Sequence, residues 1–479
     1  MILFSNRLTE SRLATQATLT RWHSRGNSRS TLKRSSLGES VHRLDPSYPN
    51  EPMIEHFTSS FHVPSDPPQH QLTWYNLSNA LWMGSFSIQQ LLVTWILVGI
   101  LHEPPEVVGT AQLIIGIPGL AFMLWGGVMG DRVDGRRLLI QSHLLSIVPP
   151  LVLAAGVYVD ALGFWILILT ALAANLLNSV SNPARNTILN QIAGQKLQIA
   201  ISVSTGIGSI ATMAGTRLAG EIDRFGLINI LLVQSVLFAI GALCLLGLRA
   251  ASQPLPPQNQ SGSDSTRLSM VQTIQDGLVY AWRFKLARDI IGMNFVSSFF
   301  NAGAWFVAVP FIVNRIYSGD ALLLANISVV FYFGSLLANF GLVKFMPIRF
   351  SGRLYLIMQL TRLLVLSLIW IEPPIFWFWI AAAYWGFNMG VTTTMSRVIV
   401  QEVAEPEYRS RLMSVFTLAL MSSTPIGSLV LGFVISAFGE LNALIPGMVV
   451  SILIFGFGLR YSPLWHYESP QPGEVTTQG

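Results

Sequence analysis

The chain has 479 residues, of which 51% are hydrophobic and only 11% are charged, whereas an average soluble domain carries roughly 25% charged residues. This composition, with a mean hydropathy of +0.52, argues against a disordered chain, a nucleic-acid-binding protein and an ordinary soluble enzyme, although the net charge is +5. The single cysteine, Cys244, excludes an intrachain disulfide. The composition indicates an integral membrane protein.

Residues 1–70 differ from the rest of the chain. They are rich in arginine and serine and end in a proline-rich stretch, and no apolar run there is long enough for a signal-peptide core or a membrane span. We predict a flexible cytoplasmic tail. Translation that starts nearer Met53 is an alternative that the sequence leaves open.

Twelve apolar segments follow between residues 72 and 461. Each is about 18 to 29 residues long, which is enough to cross a hydrocarbon layer of about 30 Å. Their predicted limits are 72–100, 107–129, 138–158, 161–182, 197–220, 227–248, 288–313, 321–343, 354–371, 375–398, 411–436 and 441–460. The predicted fold class is an all-α membrane protein with twelve transmembrane helices.

A polar stretch, SQPLPPQNQSGSDST, separates the sixth segment from the seventh. Its Pro, Gly and Ser content is typical of a linker between two halves of six helices each. A weak repeat supports two similar halves, because Phe225-Gly226 closes the fifth segment and Phe438-Gly439 closes the eleventh. The predicted organisation is a six-helix bundle at 71–249, a cytoplasmic linker at 250–285, a second six-helix bundle at 286–461 and a cytoplasmic tail at 462–479.

Basic residues concentrate on one side of this predicted topology. They lie in every second connection and in the central linker, whereas the other connections hold only Arg217, Arg224 and Arg315. Because cytoplasmic connections of membrane proteins carry the excess of Lys and Arg, both termini are predicted to be cytoplasmic. An even number of spans follows from this arrangement.

The connection between the second and third segments carries the most specific motif, GGVMGDRVDGRR at 126–137. Its glycines let two helices approach closely. Asp131 lies at a helix end with Arg132, Arg136 and Arg137 nearby, and such a charged cluster can hold neighbouring helices in one state and release them in another. The alternative is a solvated basic turn without a gating role.

This motif resembles the signature loop of the major facilitator superfamily. The resemblance extends to the stretches 109–118, NPARN at 182–186 and QEVAEPEYRSRLMSV at 401–415. Within the superfamily, the chain resembles the branch that contains the enterobactin exporter and macrolide-efflux-like permeases. The resemblance implies two pseudo-symmetric six-helix bundles around a central cavity that opens alternately to the two sides of the membrane. It also implies a cytoplasmic gate, with Gly127, Asp131, Arg132 and Arg136 in the loop and Arg185 and Arg411 at neighbouring contacts.

Polar residues at helical spacing give candidate substrate-binding positions, because polar side chains in a span turn away from lipid. In the family, the first, fourth, seventh and tenth helices line the cavity, and the same four segments carry such residues. The candidates are Asn79, Gln90, Asn175, Asn178, Asn294, Asn301, Trp305, Tyr384 and Asn388. Amides beside aromatic rings favour an amphiphilic or aromatic organic solute. For each amide, a hydrogen bond between helices, worth about 1 kcal/mol, is the alternative.

Charged residues inside the spans are few. Arg362 lies near the middle of the ninth segment, where a charge costs at least about 2.5 kcal/mol, so something must compensate it. A structural role is favoured over contact with an anionic substrate. Arg217 and Glu221, spaced i, i+4, could form an external latch, but a solvated helix end is the preferred interpretation.

No phosphate-binding loop, nucleophile–base pair or metal-spaced histidine cluster is present in the sequence, so neither an enzyme nor a bound cofactor or metal is expected. The predicted function is secondary active export of a small organic molecule by a monomer in the cell (inner) membrane. The resemblance alone implies that this molecule is siderophore-like or drug-like. Coupling to protons is left open, because no acidic residue lies at a predicted helix centre. An importer or facilitator of the same fold, or a receptor or scaffold that transports nothing, are the alternatives.

Overall fold

The computed structural model describes residues 69–130, 134–193, 197–248, 270–405 and 407–470. Every regular element in these ranges is helical. Most of the predicted N-terminal tail, much of the predicted linker and the end of the C-terminal tail lie outside the described residues.

The first half of the described chain contains six long helices. The third of them is interrupted before Pro149 and Pro150, which lack the backbone N–H that a continuous helix needs. The helices are α1 (Gln69–Trp95, continued by a π-helical turn at Ile96–Ile100), α2 (Pro105–Gly130), α3 (Gly135–Leu145 and Val148–Tyr158), α4 (Phe164–Ala193), α5 (Leu197–Ala219) and α6 (Leu227–Leu246).

The second half of the described chain contains six more long helices, preceded by a short one that we call the linker helix (Met270–Arg283). The long helices are α7 (Lys285–Gly303, extended by π-helical turns at Ala304–Ala308 and Ile312–Ile316), α8 (Ala321–Phe345), α9 (Ser351–Trp370), α10 (Ile375–Val403), α11 (Arg409–Phe438) and α12 (Ile445–Arg460). In the described residues, eleven of the twelve long helices are apolar enough to cross a membrane by length and composition. The twelfth, α10, has 29 residues and packs between α8 and α9.

The two halves have the same internal packing. In the first half α1 packs on α4, α5 and α6, α2 packs on α4, and α3 packs on α4 and α6. Each of these pairs recurs six helices later: α7 packs on α10, α11 and α12, α8 on α10, and α9 on α10 and α12. The contacts between the halves, α2 with α11 and α5 with α8, are related by the same shift. The predicted fold of two pseudo-symmetric six-helix bundles is confirmed.

The Phe-Gly repeat has a structural reason. Gly226 and Gly439 both have positive φ angles, 79° and 90°, which favour glycine over residues with a side chain. Each donates its backbone N–H over 2.8 Å to the carbonyl four residues earlier, in Ile222 and Ile435. Both glycines therefore end a helical segment at equivalent points of the two halves.

We call the side of the molecule where α1 begins and α12 ends the terminal side, and the opposite side the distal side. On the distal side the halves approach closely at small residues. A β-carbon at Gly109 of α2 would lie 2.5 Å from the carbonyl oxygen of Ser428, and one at Gly432 of α11 would lie 2.5 Å from that of Pro105. A β-carbon at Gly220, which follows α5, would lie 2.4 Å from the Cβ of Ala325 and 3.2 Å from the carbonyl oxygen of Ala321, both in α8. The distal ends of the two halves are therefore in backbone contact.

The linker helix is attached to the second half. Asp276 forms an ion pair with Arg411 of α11, with 3.2 Å between Oδ2 and Nη1. Tyr280 stacks on Tyr408 with ring centroids 4.6 Å apart, and its hydroxyl accepts a hydrogen bond from the backbone of Glu405. A segment predicted to be part of the linker thus forms a docked helix.

Candidate substrate cavity

A cavity of about 350 Å³ lies between the two halves. Its walls come from α1, α2 and α4 of the first half, and from Phe306 and α11 of the second. Ligand sites for small organic molecules have volumes of roughly 300 to 1,000 Å³. The size and the position between the halves suit a small organic solute. We call this space the central cavity.

The first half supplies all of the amide side chains that line the central cavity. Asn175 donates to the carbonyl of Ile115 in α2 over 2.8 Å, and Asn178 accepts a hydrogen bond from Trp82 Nε1 over 3.1 Å. These bonds fix the amides in place and also join α4 to α2 and α1. Gln89 Nε2 and Ser428 Oγ are buried at the wall and have no hydrogen-bond partner among the described residues.

The rest of the wall is mainly apolar. Phe86, Val93 and Ile115 of the first half face the same space as Phe306 and Met421 of the second half. Thr424 and Pro425 of α11 also line the cavity on the side of the second half. A solute with an apolar or aromatic body and a few polar groups fits such a lining better than a bare inorganic ion, which would need more charge.

A second cavity of about 490 Å³ lies within the first half, between α1, α4 and α5. Asn182 lines both this space and the central cavity, so the two adjoin along α4. Asn79, Arg185 and Ser204 also line it. The Arg185 guanidinium lies 4.0 Å above the ring of Trp82, and Nη2 donates to Ser181 Oγ over 3.1 Å. We call this space the side cavity.

Arg362 is held in a cage of neutral polar groups in the second half. Its Nε donates to Asn388 Oδ1 over 2.9 Å and its Nη2 donates to Thr392 Oγ1 over 3.0 Å, both in α10. Nη1 donates to Gln359 of its own helix over 3.2 Å and also to Ser297 of α7. All three nitrogens have acceptors, so this buried charge joins α7, α9 and α10.

Comparison with known proteins defines the family. The sequence pattern described as Major Facilitator Superfamily matches residues 76–427. The chain belongs to the Major Facilitator Superfamily. It is therefore a multi-pass membrane transporter of this type, in a family whose members are not in general enzymes. A search of curated proteins finds no match.

Solved transporter structures share the fold at low sequence identity. A mutant of the nucleoside transporter NupG is 14% identical with a TM-score of 0.62, covering 80% of this chain and 99% of that one. A POT family transporter in complex with 5-aminolevulinic acid is 13% identical with a TM-score of 0.64, covering 82% and 96%. A bacterial homologue of the human lysosomal transporter Spinster, inward-facing and occupied, is 15% identical with a TM-score of 0.62, covering 85% and 99%.

The predicted substrate-binding residues of the first half line the central cavity or the side cavity. Gln90, Asn175 and Asn178 line the central cavity, and Asn79 lines the side cavity. Trp305 of the second half lines only a 30 Å³ pocket between α1, α5, α7 and α8, which is too small for an organic solute.

The other four predicted binding residues, all in the second half, line neither cavity. Asn388 is completely buried against Arg362 and also donates to Thr361 over 2.8 Å. Asn301 donates to the carbonyl of Ser297 over 2.7 Å, and Asn294 is buried in α7. Tyr384 is 39% exposed and stacks on Phe387. The structure buries the three asparagines in helix packing and leaves Tyr384 on an exposed face, so none of the four lies at the wall of either cavity.

The predicted gate residues of the superfamily's signature loop are only partly described. Gly127 lies within α2, and Asp131 and Arg132 lie outside the described residues. Arg136 donates to the carbonyls of Leu245 and Leu246 over 3.0 and 2.9 Å. These carbonyls lie at the C-terminal end of α6, where the helix dipole also stabilises a cation.

The remaining predicted gate residues are dispersed. Arg137 is exposed, Arg185 stacks on α1, and Arg411 binds the linker helix through Asp276. In this conformation the described members of the predicted gate therefore contact three separate elements.

The distal side holds contacts that the sequence interpretation missed. Arg217 and Glu221 form a 2.7 Å ion pair within the end of α5, so this pair does not join the halves. Instead Glu106 of α2 lies directly against α11: a β-carbon at Gly432 would come within 3.2 Å of its Cα, and its side chain lies near Ser436. Gly109 and Gly116, seven residues apart on α2, are the sequence signal that could have indicated a close helix contact there.

Proposed function

We propose that the chain is a secondary active exporter that moves a small organic molecule by alternating access. The observation that carries this proposal is the central cavity between the halves, which combines amides from the first half with aromatic and aliphatic side chains from both. Transporters of this architecture bind near the bilayer midplane, at the interface of their repeats. One chain supplies every wall of the cavity, which supports action as a monomer.

The distal contacts suggest how access alternates. The halves meet there through backbone contacts of α2 with α11 and of α5 with α8. The solute would load from the terminal side in this conformation and leave after the two halves pivot and those contacts open. With both termini in the cytoplasm of a cell (inner) membrane protein, as the basic connections support, loading would occur from the cytoplasm.

The direction and the solute class rest on motif resemblance. The segments at 126–137, 182–186 and 401–415 resemble exporters of the enterobactin and macrolide-efflux-like branch, which supports export of a siderophore-like or drug-like molecule. Structurally similar proteins include a nucleoside transporter, proton-dependent oligopeptide transporters and a POT family transporter in complex with 5-aminolevulinic acid. These similarities support a small organic solute and leave the direction to experiment.

A retention assay tests the proposal. Cells that express the chain and cells that do not are loaded with a panel of siderophore-like and drug-like fluorescent compounds, and efflux is followed with and without a protonophore. We expect the expressing cells to lose at least one compound faster. Thr424→Trp, which fills the central cavity, should return efflux to the level of cells without the chain. Val449→Trp, at an exposed position of α12, should leave it unchanged.

The alternatives give different results in the same assay. Greater retention in expressing cells would indicate an importer, and faster loss that stops when the inside and outside concentrations are equal would indicate a facilitator. If no compound in a wide panel crosses proteoliposomes that contain the purified protein, a receptor or scaffold is favoured. A protonophore that abolishes export would support proton coupling.

A further inference from the structure

Arg185 is buried without a full set of hydrogen-bond partners. Its side chain lies in α4 and the residue is only 4% exposed. Nη2 donates to Ser181, but Nε and Nη1 are buried and have no hydrogen-bond partner among the described residues. Removing a charged group from water is costly unless its donors are satisfied. The arrangement therefore lacks an acceptor.

A second buried arginine shows what a satisfied site looks like in this chain. Arg362 is 3% exposed, which is nearly the same as Arg185. All three of its side-chain nitrogens donate to neutral oxygen atoms of neighbouring helices. The two arginines are buried to the same extent, and they differ in how many of their side-chain nitrogens have a hydrogen-bond acceptor. Structural arginines in this fold are thus able to find complete sets of acceptors, and Arg185 does not have one.

Contact with Trp82 does not replace the missing acceptor. The tryptophan ring covers one face of the Arg185 guanidinium at 4.0 Å, which stabilises the charge through the ring's π electrons. Guanidinium N–H groups point outward in the plane of the group, so this contact satisfies none of them. The Trp82 ring also contacts His143, whose ring nitrogens are hydrogen-bonded to Ser78 and to the carbonyl of Leu139. No described carboxylate approaches Arg185.

Arg185, the residue that carries the two unpaired donors, lines the side cavity. The other polar lining residues of this cavity are neutral amides and hydroxyls, among them Asn79, Asn182 and Ser204, and none of the described lining residues is acidic. Arg185 is the sole charged residue of that lining. A single positive charge in a partly desolvated space of about 490 Å³ favours an anion.

We propose that the side cavity binds the carboxylate of an organic monoanion, with Arg185 as the anchoring cation. Asn182 lines both cavities, so the carboxylate would lie at Arg185 while an apolar or aromatic body extends toward the central cavity. A doubly charged phosphate would require a second cation, and the described lining holds none. This inference rests on the proposed transport function and narrows its solute class to organic carboxylates.

Matched probes test the charge requirement directly. Thermal unfolding and isothermal titration of the purified full-length chain in detergent compare 1-naphthoate, benzoate and related aromatic carboxylates with the corresponding neutral amides. We expect the carboxylates to bind and stabilise the wild-type protein and the amides to bind at least about tenfold more weakly, because charge-assisted bonds are roughly twice as strong as neutral ones.

Substitutions then assign the effect to Arg185. Arg185→Gln should remove the preference for carboxylates, and Arg185→Lys should retain part of it. Arg397→Gln changes an exposed arginine at the equivalent end of α10 and should behave like wild type. If Arg185→Gln does not fold, the wild-type preference and the Arg185→Lys variant still decide the question.

Several outcomes would overturn the proposal. Equal binding of carboxylates and amides, no binding of any carboxylate, or an unchanged preference in Arg185→Gln would each show that Arg185 is purely structural. Transport of neutral solutes alone would reject the carboxylate site and leave the transporter intact. Carboxylate binding that needs Arg185, without movement of any solute in proteoliposomes, would reject transport and keep the site.

Discussion

Arg362 joins three helices of the second half through neutral acceptors alone. Its guanidinium contacts Asn388 and Thr392 of α10 and Ser297 of α7. If the guanidinium is removed, these oxygen atoms lose a donor in a place that water does not reach. Each unsatisfied buried group costs roughly 1 to 3 kcal/mol in soluble proteins, and bonds inside membranes are worth somewhat less.

We therefore expect Arg362→Leu to lower the free energy of unfolding by roughly 2 to 4 kcal/mol. Thermal unfolding in detergent would record this as a lower midpoint, while the folded fraction keeps the transport rate and solute preference of the wild type. Arg397→Leu is the matched control, because Arg397 is exposed and its loss should not move the midpoint. A stable Arg362→Leu protein that no longer transports would instead show that this arginine acts on the solute.

The same cage explains which site residues could be predicted from the sequence. The spacing of four residues puts Asn388 and Thr392 on one face of α10, but it does not tell which neighbour covers that face. Here the neighbour is Arg362 of α9, so the Asn388 amide forms a hydrogen bond between helices and does not face a cavity. Asn175 and Asn178 of α4 also follow a helical spacing, but they line the central cavity.

The π-helical turns of α7 show a similar limit for whole elements. A predicted stripe that includes Asn301 and Trp305 assumes 3.6 residues per turn throughout. Wider turns at Ala304–Ala308 and Ile312–Ile316 change the register along this helix. Span positions were nonetheless predicted to within a few residues for most helices, because long apolar runs are a strong signal. The predicted segment at 161–182 is the main exception, since α4 continues to Ala193.

The contact of α2 with α11 depends on glycine. A β-carbon at Gly109 would lie 2.5 Å from the Ser428 carbonyl oxygen and 3.2 Å from the Cα of Gly432, and both are backbone atoms that cannot rotate away. Even alanine must therefore separate the two helices. Overpacking of this kind costs about 1 to 3 kcal/mol, and 1 kcal/mol changes a two-state equilibrium about fivefold.

We expect Gly109→Ala to shift the protein away from this distally closed conformation. A cysteine placed at Val93 in the central cavity, with Cys244→Ala as background, reports the shift. A membrane-impermeant maleimide applied from the distal side should label that cysteine about fivefold faster or more in the Gly109→Ala protein. Gly341→Ala is the control, since a β-carbon there meets no atom within 4 Å. Unchanged labelling would show that the α2–α11 contact does not close the distal side.

At the scale of the whole molecule, the packing separates into two groups of contacts. Each half repeats the same set of internal helix pairs, whereas the main helix pairs between the halves are α2 with α11 and α5 with α8. Rocking of one half against the other needs only the second group to open and can leave the first intact. Cross-links placed within a half and between halves should therefore have opposite effects on transport.

Two pairs at the distal side make this comparison. Glu106 of α2 lies beside Ser436 of α11 across the halves, and Arg315 and Glu440 form a 2.7 Å ion pair within the second half. In a Cys244→Ala background we expect a short, reducible thiol cross-linker to stop transport by Glu106→Cys/Ser436→Cys and to leave Arg315→Cys/Glu440→Cys active. Reduction should restore the first variant to its rate before cross-linking. Continued transport by the linked Glu106→Cys/Ser436→Cys protein would mean that the distal ends of the halves stay together throughout the cycle, and the solute would then need another exit.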